Sequence, residues 1–201
     1  MGATKGEQTR KAILRAAIER FGRDGYRATS VADIARDAGV GGTVAYAYFP
    51  NKEALFLAAV DEDAAAVMEE GLVTIADAAV RDWRQTLLTT LVAAVERHLL
   101  ARRLLAGLEP DVTDRVLEIP ALAQLRKAIA ERLRTEQASG AVRADIDPAS
   151  MANGVVAIVL SLLMSVVQIG TEAAATYADD VIAVFEAAIE RAPGPPGRRR
   201  G

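Results

Sequence analysis

The sequence predicts an all-α fold, in which an N-terminal unit of three helices precedes a larger domain of six. About half of the residues (51%) are apolar, yet only 4% are aromatic and alanine is abundant, a composition that suits closely packed helices better than strands. Apolar residues recur at helical spacing, and proline, glycine and capping residues separate the periodic segments. With 201 residues, the chain is long enough to bury a sizeable core.

The first helix is predicted over residues 4–23. Thr4 and Glu7 are spaced to form a capping box at its start, and Gly22 and Gly25 are expected to end it. Its inward face is an apolar stripe at helical spacing, made of Ile13, Leu14, Ala17, Ile18 and Phe21. Basic side chains lie off this stripe and are either solvated or in contact with phosphate: Arg10, Lys11, Arg15 and Arg27.

Two short helices joined by a glycine turn are predicted within residues 29–56. Ser30 can cap the first of them, Gly39 ends it, and the second runs over residues 42–49 until Pro50 stops it. This pair has the shape of a helix-turn-helix, whose second helix enters the DNA major groove.

The second helix of the pair has an inward and an outward face. Ala45, Tyr48 and Phe49 have the spacing of core residues. Lys52 begins the next helix, where its ammonium and free backbone N–H groups can hold a phosphate together. The candidate DNA contacts are Thr29, Ser30, Gly41, Gly42, Thr43, Val44, Tyr46, Ala47, Tyr48 and Lys52. For the hydroxyls of Thr29 and Ser30, helix capping is an alternative that is compatible with DNA contact.

Charge is unevenly distributed along the chain. Residues 1–52 carry 9 Lys and Arg against 5 Asp and Glu, whereas residues 53–201 carry 15 against 22, so a basic end is joined to an acidic remainder. This distribution fits an anionic partner at the N-terminal end only, although chance segregation is the alternative.

Beyond Pro50, long helices dominate the prediction. Asn51 caps a helix over residues 52–79, which Gly71 interrupts at a cost of about 1 kcal/mol relative to alanine. The helices that follow are predicted over residues 82–107, 110–119, 121–138, 148–168 and 171–191. We divide the chain into a DNA-binding domain (residues 1–50), a ligand-binding and dimerisation domain (residues 51–192) and a disordered tail (residues 193–201).

The composition argues against several classes of protein. Without cysteine and with the single histidine His98, the chain is not expected to hold a zinc ion or another metal, and we assign no catalytic residue and no cofactor. We expect no enzyme, because neither a Ser-His-Asp arrangement nor a glycine-rich phosphate loop can be identified. The first residues lack the apolar segment of a signal peptide, so a cytoplasmic location is expected.

The most apolar stretch, residues 154–170, reads GVVAIVLSLLMSVVQIG. With 17 residues and three polar side chains it is short for a membrane span, which needs about 20 residues, so we expect no membrane partner. A helix apolar almost all round is buried on both sides, here by the core and by a second copy of the chain. A homodimer through the last two long helices is predicted, with Val156, Leu160, Leu163, Val167, Tyr177, Val181, Val184 and Phe185 at the interface.

Two sequence patterns in the N-terminal quarter are specific enough to indicate a family. Residues 10–39 contain R-x-x-I-L-x-A-A-x-x-x-F-x-x-x-G-Y-x-x-T-S-V-x-x-I-A-x-x-A-G, and residues 40–55 read VGGTVAYAYFPNKEAL. The chain therefore resembles the TetR family of one-component transcriptional regulators, whose pattern around the recognition helix is roughly V-S-x-G-T-L-Y-x-Y-F-P-x-K-E-x-L. The matching positions in residues 40–55 are Val40, Tyr46, Tyr48, Phe49, Pro50, Lys52, Glu53 and Leu55.

The departures from the family pattern fall on the outward face. Gly41 replaces a frequent serine, Gly42 a basic or polar residue, and Thr43, Val44 and Ala45 the usual Gly-Thr-Leu. Few hydrogen-bond donors remain on this face. We therefore predict that thymine methyl contacts and DNA shape contribute more to sequence preference than bidentate hydrogen bonds do.

The resemblance implies a repressor that a small, mostly apolar effector releases from a palindromic double-stranded DNA operator. Under this reading the effector pocket draws on Met68, Leu72, Trp83, Leu87, Leu91, Val95, His98, Leu104 and Leu108, for each of which a core role is the alternative. Two other readings stay open. One is a helix-turn-helix activator, or a DNA-binding protein without any effector; the other is a helical adaptor that binds another protein.

Overall fold

The computed structural model describes residues 4–77, 82–109 and 119–189, and every regular element within these ranges is an α-helix. The helices are α1 (Lys5–Ala28), α2 (Val31–Asp37), α3 (Gly42–Tyr48), α4 (Lys52–Ala76), α5 (Trp83–Arg97), α6 (Leu99–Leu105), α7 (Pro120–Ala138), α8 (Pro148–Ile169) and α9 (Thr171–Ile189). The all-α prediction is confirmed. The helix predicted over residues 110–119, except for Ile119, and the tail predicted over residues 193–201 lie outside the described residues.

Helix α1 begins as predicted but continues past its predicted end. The side chain of Thr4 accepts a hydrogen bond from the N–H of Glu7 (3.3 Å), and the Glu7 carboxylate accepts one from the N–H of Thr4 (2.6 Å), which completes the capping box. The predicted break at Gly25 is confirmed, because this residue has a positive φ of 84° and a non-helical ψ of 166°, whereas Gly22 lies within the helix. Helical geometry resumes after this break.

A cluster of aromatic rings joins α1 to α4. The rings of Phe21 and Phe56 pack edge to face with centroids 4.9 Å apart, and Tyr26 lies 4.9 Å from Phe56. Phe21 and Phe56 are almost completely buried. The predicted domain boundary at residue 50 falls just before α4, but the buried core runs continuously across it from Ile13 to Ile189.

Gly71 marks the closest approach of α4 to α5. A Cβ atom at this position would lie 2.8 Å from Cδ1 of Leu87 and 3.0 Å from Cδ2 of Leu91. Glycine therefore allows the two helices to pack closely, which offsets its low helix propensity.

The prediction of a single helix over residues 82–107 is wrong, because the chain leaves helical geometry at His98. His98 has an extended backbone (φ −102°, ψ 91°) that separates α5 from α6. The carboxylate of Asp63 on α4 contacts the His98 ring and also accepts a hydrogen bond from the N–H of Ala101. A buried acceptor thus binds a backbone donor in the first turn of α6, where no helical partner exists for it.

Helix α8 is the one described helix that is long and apolar enough to cross a membrane by length and composition. It has 22 residues and so is longer than the apolar run of residues 154–170. A core helix passes the same test, and Val156 and Leu163 of α8 are buried inside the protein. The amide of Gln168 donates a hydrogen bond to the carbonyl oxygen of Leu105 (3.0 Å), which ties the end of α8 to α6.

Candidate DNA-binding surface and ligand cavity

Helix α3 is anchored to the core by one face. Ala45 is fully buried and Phe49, which ends the helix, is nearly so. Gly39 makes the turn before α3 with a positive φ of 68°, and the N–H of Val40 bonds to the carbonyl oxygen of Ala35 (2.9 Å). The turn and the two buried residues set the orientation of α3 relative to α2.

The opposite face of α3 is exposed, as the spacing predicts. It consists of Gly42, Thr43, Val44, Tyr46 and Ala47, and Tyr46 is 53% exposed. A Cβ atom at Gly41 or Gly42 would meet no described atom within 4 Å, so the backbone is open here to close approach by another molecule. The face carries one alcohol and one phenol, and its remaining groups are small or apolar.

Thr29 does not belong to this surface, and its assignment as a DNA contact is wrong. It is 2% exposed, and its hydroxyl donates a hydrogen bond to the carbonyl oxygen of Gly25 (2.8 Å), in the last turn of α1. Ser30 is exposed and caps α2: its Oγ accepts from the N–H of Asp33 (3.1 Å) and donates to the Asp33 carboxylate (2.6 Å). Tyr48 is only half-buried and packs against the core.

Two cations are held by aromatic rings near the C-terminal end of α3. The ammonium of Lys52 lies 4.4 Å from the centroid of the Tyr26 ring and 3.5 Å from the carbonyl oxygen of Arg27. The guanidinium of Arg10 lies 5.3 Å from the Phe49 ring centroid. These contacts pre-position both charges, and the Arg10 contact is one that periodicity had not revealed.

A paired arginine ties α1 to α2. Arg20 donates to both carboxylate oxygens of Asp37, with its Nε 2.6 Å from Oδ2 and an Nη 3.1 Å from Oδ1. The hydrogen bond from Arg20 lowers the pKa of Asp37 below its ordinary value. Within the described ranges, no group of three His, Asp or Glu side chains could hold a metal ion.

A small, partly open cavity of about 40 Å³, here called the five-helix cavity, lies among α4, α5, α6, α7 and α8. Three residues predicted for a pocket line it: Met68, Val95 and Leu104. The sequence did not single out the others as pocket residues, because their inward direction depends on how five helices pack. They are Ala64, Val67, Ala101, Leu105, Ile119, Leu122, Leu160 and Leu163.

The other predicted pocket residues lie elsewhere. Trp83 and Leu87 line a second cavity, of about 30 Å³, between α5, α8 and α9, while Leu91 is buried in the core and Leu72 packs at its edge. Leu108 is 57% exposed, so its assignment to the pocket is wrong. His98 does not line either cavity, because its ring points at Asp63, with Nδ1 2.7 Å from Oδ1.

Residues 13–59 match the family model described as bacterial regulatory proteins, tetR family. The N-terminal unit, from within α1 to the first turns of α4, is therefore a TetR-family domain. No curated protein matches the sequence significantly. Solved structures similar to it include Thermus thermophilus FadR, a TetR-family transcriptional repressor in complex with lauroyl-CoA, at 26% identity and a TM-score of 0.63 over 94% of this chain and 100% of FadR. A TetR-family transcriptional regulator from Cytophaga hutchinsonii shares 19% identity, with a TM-score of 0.73 over 96% of this chain and all of the other.

The matched residues include α2, α3 and the turn between them, so α3 occupies the position of the second helix of a helix-turn-helix, the helix that enters the DNA major groove in this motif. The two similar solved structures are those of transcription regulators.

The predicted dimer residues of this protein divide into two groups. Val156, Leu160, Leu163 and Phe185 are buried within one copy of the chain, so their assignment to a partner surface is wrong. Val167 and Val181 are half-buried, whereas Tyr177 and Val184 are exposed. The exposed side of α8 consists of other residues that the sequence did not single out: Asn153, Gly154, Ala157, Ile158 and Ser161.

Proposed function

We propose that this TetR-family protein is a repressor that binds a palindromic operator as a homodimer and is released by a small, mostly apolar ligand. The observation that carries the proposal is that α6 contacts both the cavity and α1. Ala101, Leu104 and Leu105 of this helix line the five-helix cavity. Its first residues touch α1, since a Cβ atom at Gly22 would lie 2.8 Å from Cβ of Leu99.

A ligand that enlarges the cavity would therefore displace a helix that packs against the DNA-binding unit. A second link lies at the other end of α6, where the carboxylate of Glu109 accepts hydrogen bonds from Nε of Arg103 (2.6 Å) and from the N–H of Tyr26 (3.1 Å). The ligand shifts the equilibrium only by the difference between its affinities for the two arrangements. FadR, described in complex with lauroyl-CoA, supports an apolar effector.

The homodimer is proposed through the exposed sides of α8 and α9. Ile158, Tyr177 and Val184 present apolar side chains there, and Val184 is 69% exposed. A two-fold axis between two such faces would place two α3 helices about one turn of DNA, roughly 34–36 Å, apart. Binding to chromosomal DNA implies the cytoplasmic location that we propose.

Selection of bound fragments from random DNA tests the proposal directly. We expect a palindrome with half-sites about ten base pairs apart, and binding that weakens as salt is raised. A reporter gene placed behind the selected site should be repressed by the protein. Activation of the reporter would instead identify an activator, and the failure to recover any DNA sequence would favour a protein-binding adaptor.

A further inference from the structure

The walls of the five-helix cavity are chemically uniform. Every described side chain that lines it is aliphatic or methionine, with no aromatic ring, hydroxyl, amide or charge among them. The nearest polar groups have partners elsewhere: the carboxylate of Asp63 bonds to His98 and to the N–H of Ala101, and the amide of Gln168 bonds to the carbonyl of Leu105. A polar ligand group inside would thus lose its hydrogen bonds to water without replacing them.

Aromatic side chains are concentrated in the neighbouring cavity. Trp83 and Phe185 line the space between α5, α8 and α9, and the Arg84 guanidinium lies 4.7 Å from the Trp83 ring centroid. A flat aromatic ring would find stacking partners there, but none among the described walls of the five-helix cavity.

The size of the cavity restricts the shape of an occupant. A volume of about 40 Å³ is far below that of a typical ligand pocket, so binding must move the walls apart. Packed interiors resist expansion, and an extended hydrocarbon chain has a small cross-section and so needs little local displacement. Met68 and Leu104 can change rotamer to admit a hydrocarbon chain. The small side chains of Ala64 and Ala101 leave the space into which the chain would first enter.

We propose that the effector enters this cavity with an unbranched, saturated hydrocarbon chain and leaves its polar end outside the aliphatic lining. This inference rests on the proposed function, because it takes the cavity to be the effector site.

Binding of straight-chain primary alcohols, from hexanol to dodecanol, to the full-length protein tests the inference. Measured by isothermal titration calorimetry, the affinity should rise about fourfold for each added methylene, at one alcohol per chain, until the chain exceeds the available length. Naphthyl and cyclohexyl alcohols with the same octanol–water partition should bind at least tenfold more weakly. Equal affinity for these ring compounds would overturn the inference.

Chain-length dependence alone would also arise from adsorption to any apolar surface, so two variants of α4 locate the site. Ala64→Leu fills the cavity and should reduce decanol affinity at least tenfold, whereas Ala65→Leu adds the same side chain at an exposed neighbouring position and should not change it. Should Ala64→Leu unfold, Leu122→Ala replaces it, because the enlarged cavity should shift the preferred chain to a longer one. Unchanged decanol binding in Ala64→Leu, or an unchanged preference in Leu122→Ala, contradicts the proposed site.

Operator binding separates this inference from the proposed function. In one outcome, alcohol binding is lost in Ala64→Leu, but alcohol bound to the wild type does not change its affinity for the operator. That outcome would support the ligand class and argue against release of the operator by the ligand. Operator release by ring compounds, with no preference for straight chains, would support the proposed function as a ligand-released repressor and overturn the proposed ligand class.

Discussion

Asp63 on α4 lies 2.7 Å, measured from its Oδ1, from Nδ1 of His98, the residue at which α5 ends and α6 begins. Its second oxygen accepts a hydrogen bond from the N–H of Ala101 at 2.9 Å. Because Asp63 is 4% exposed, both contacts are made largely away from water. One carboxylate thus fixes both the break between the two helices and the start of the helix that borders the five-helix cavity.

Replacement of Asp63 by alanine should therefore destabilise the protein. It leaves the N–H of Ala101 and the ring of His98 without this acceptor, and we expect the free energy of unfolding to fall by about 1–3 kcal/mol in urea titrations. Glu62→Ala, at the exposed neighbouring position on α4, serves as the control and should have little effect. Equal stability of the two variants would show that the buried contacts contribute nothing net.

Replacement of Gly22 by alanine should loosen the contact between α1 and α6. The new Cβ would lie 2.9 Å from the backbone nitrogen of Leu100, too close for any side-chain rotation to relieve. We expect a loss of about 1–3 kcal/mol in the free energy of unfolding. Gly6→Ala is the matched control, because its Cβ would meet the Tyr48 hydroxyl at an ordinary 3.5 Å and should cost nothing.

Two substitutions at Thr43 distinguish methyl contacts from hydrogen bonds in DNA recognition. Thr43→Val keeps the methyl group and removes the hydroxyl, whereas Thr43→Ser does the reverse. With thymine methyl contacts dominant, Thr43→Val should retain operator affinity within about twofold, and Thr43→Ser should lose at least fivefold in fluorescence anisotropy at fixed salt. The reverse order of affinities would show that the hydroxyl reads a base edge.

A charge on the exposed side of α8 should separate the proposed dimer. Ile158→Asp places a carboxylate between the two copies, and sedimentation should then give the mass of a single chain. Val73→Asp on α4 introduces the same charge at another exposed aliphatic residue and should leave the mass at that of two chains. Dimers that persist in Ile158→Asp would place the interface elsewhere.

The ion pair between Arg20 and Asp37 should contribute to stability only above acidic pH. Since the hydrogen bond from Arg20 lowers the pKa of Asp37 in the folded state, its stabilising effect is present above the unfolded pKa and is lost as pH falls through the folded pKa. The difference in melting temperature between wild type and Arg20→Gln should therefore shrink from pH 7 to pH 2. A difference that stays constant would indicate that packing of the Arg20 stem, rather than the ion pair, supports α1 against α2.

The N-terminal unit was the most predictable part of the molecule because its signals are local. The Thr4 capping box, the cap at Ser30 and the turn at Gly39 each depend on contacts within about four residues, and all three occur as expected. Thr29 was misassigned because its burial depends on tertiary packing, although its hydrogen-bond partner, the Gly25 carbonyl, is only four residues away.

The sequence by itself determined the helical class, most helix boundaries and the family, since caps, prolines and periodic apolar residues act over short distances. Tertiary structure alone decided the break at His98, whose partner Asp63 lies 35 residues earlier. It also decided which sides of α8 are inward. A helix that is apolar almost all round carries no periodic signal of direction, so only packing against α7, α5 and α6 shows that Leu160 and Leu163 border a cavity and that Ile158 faces outward.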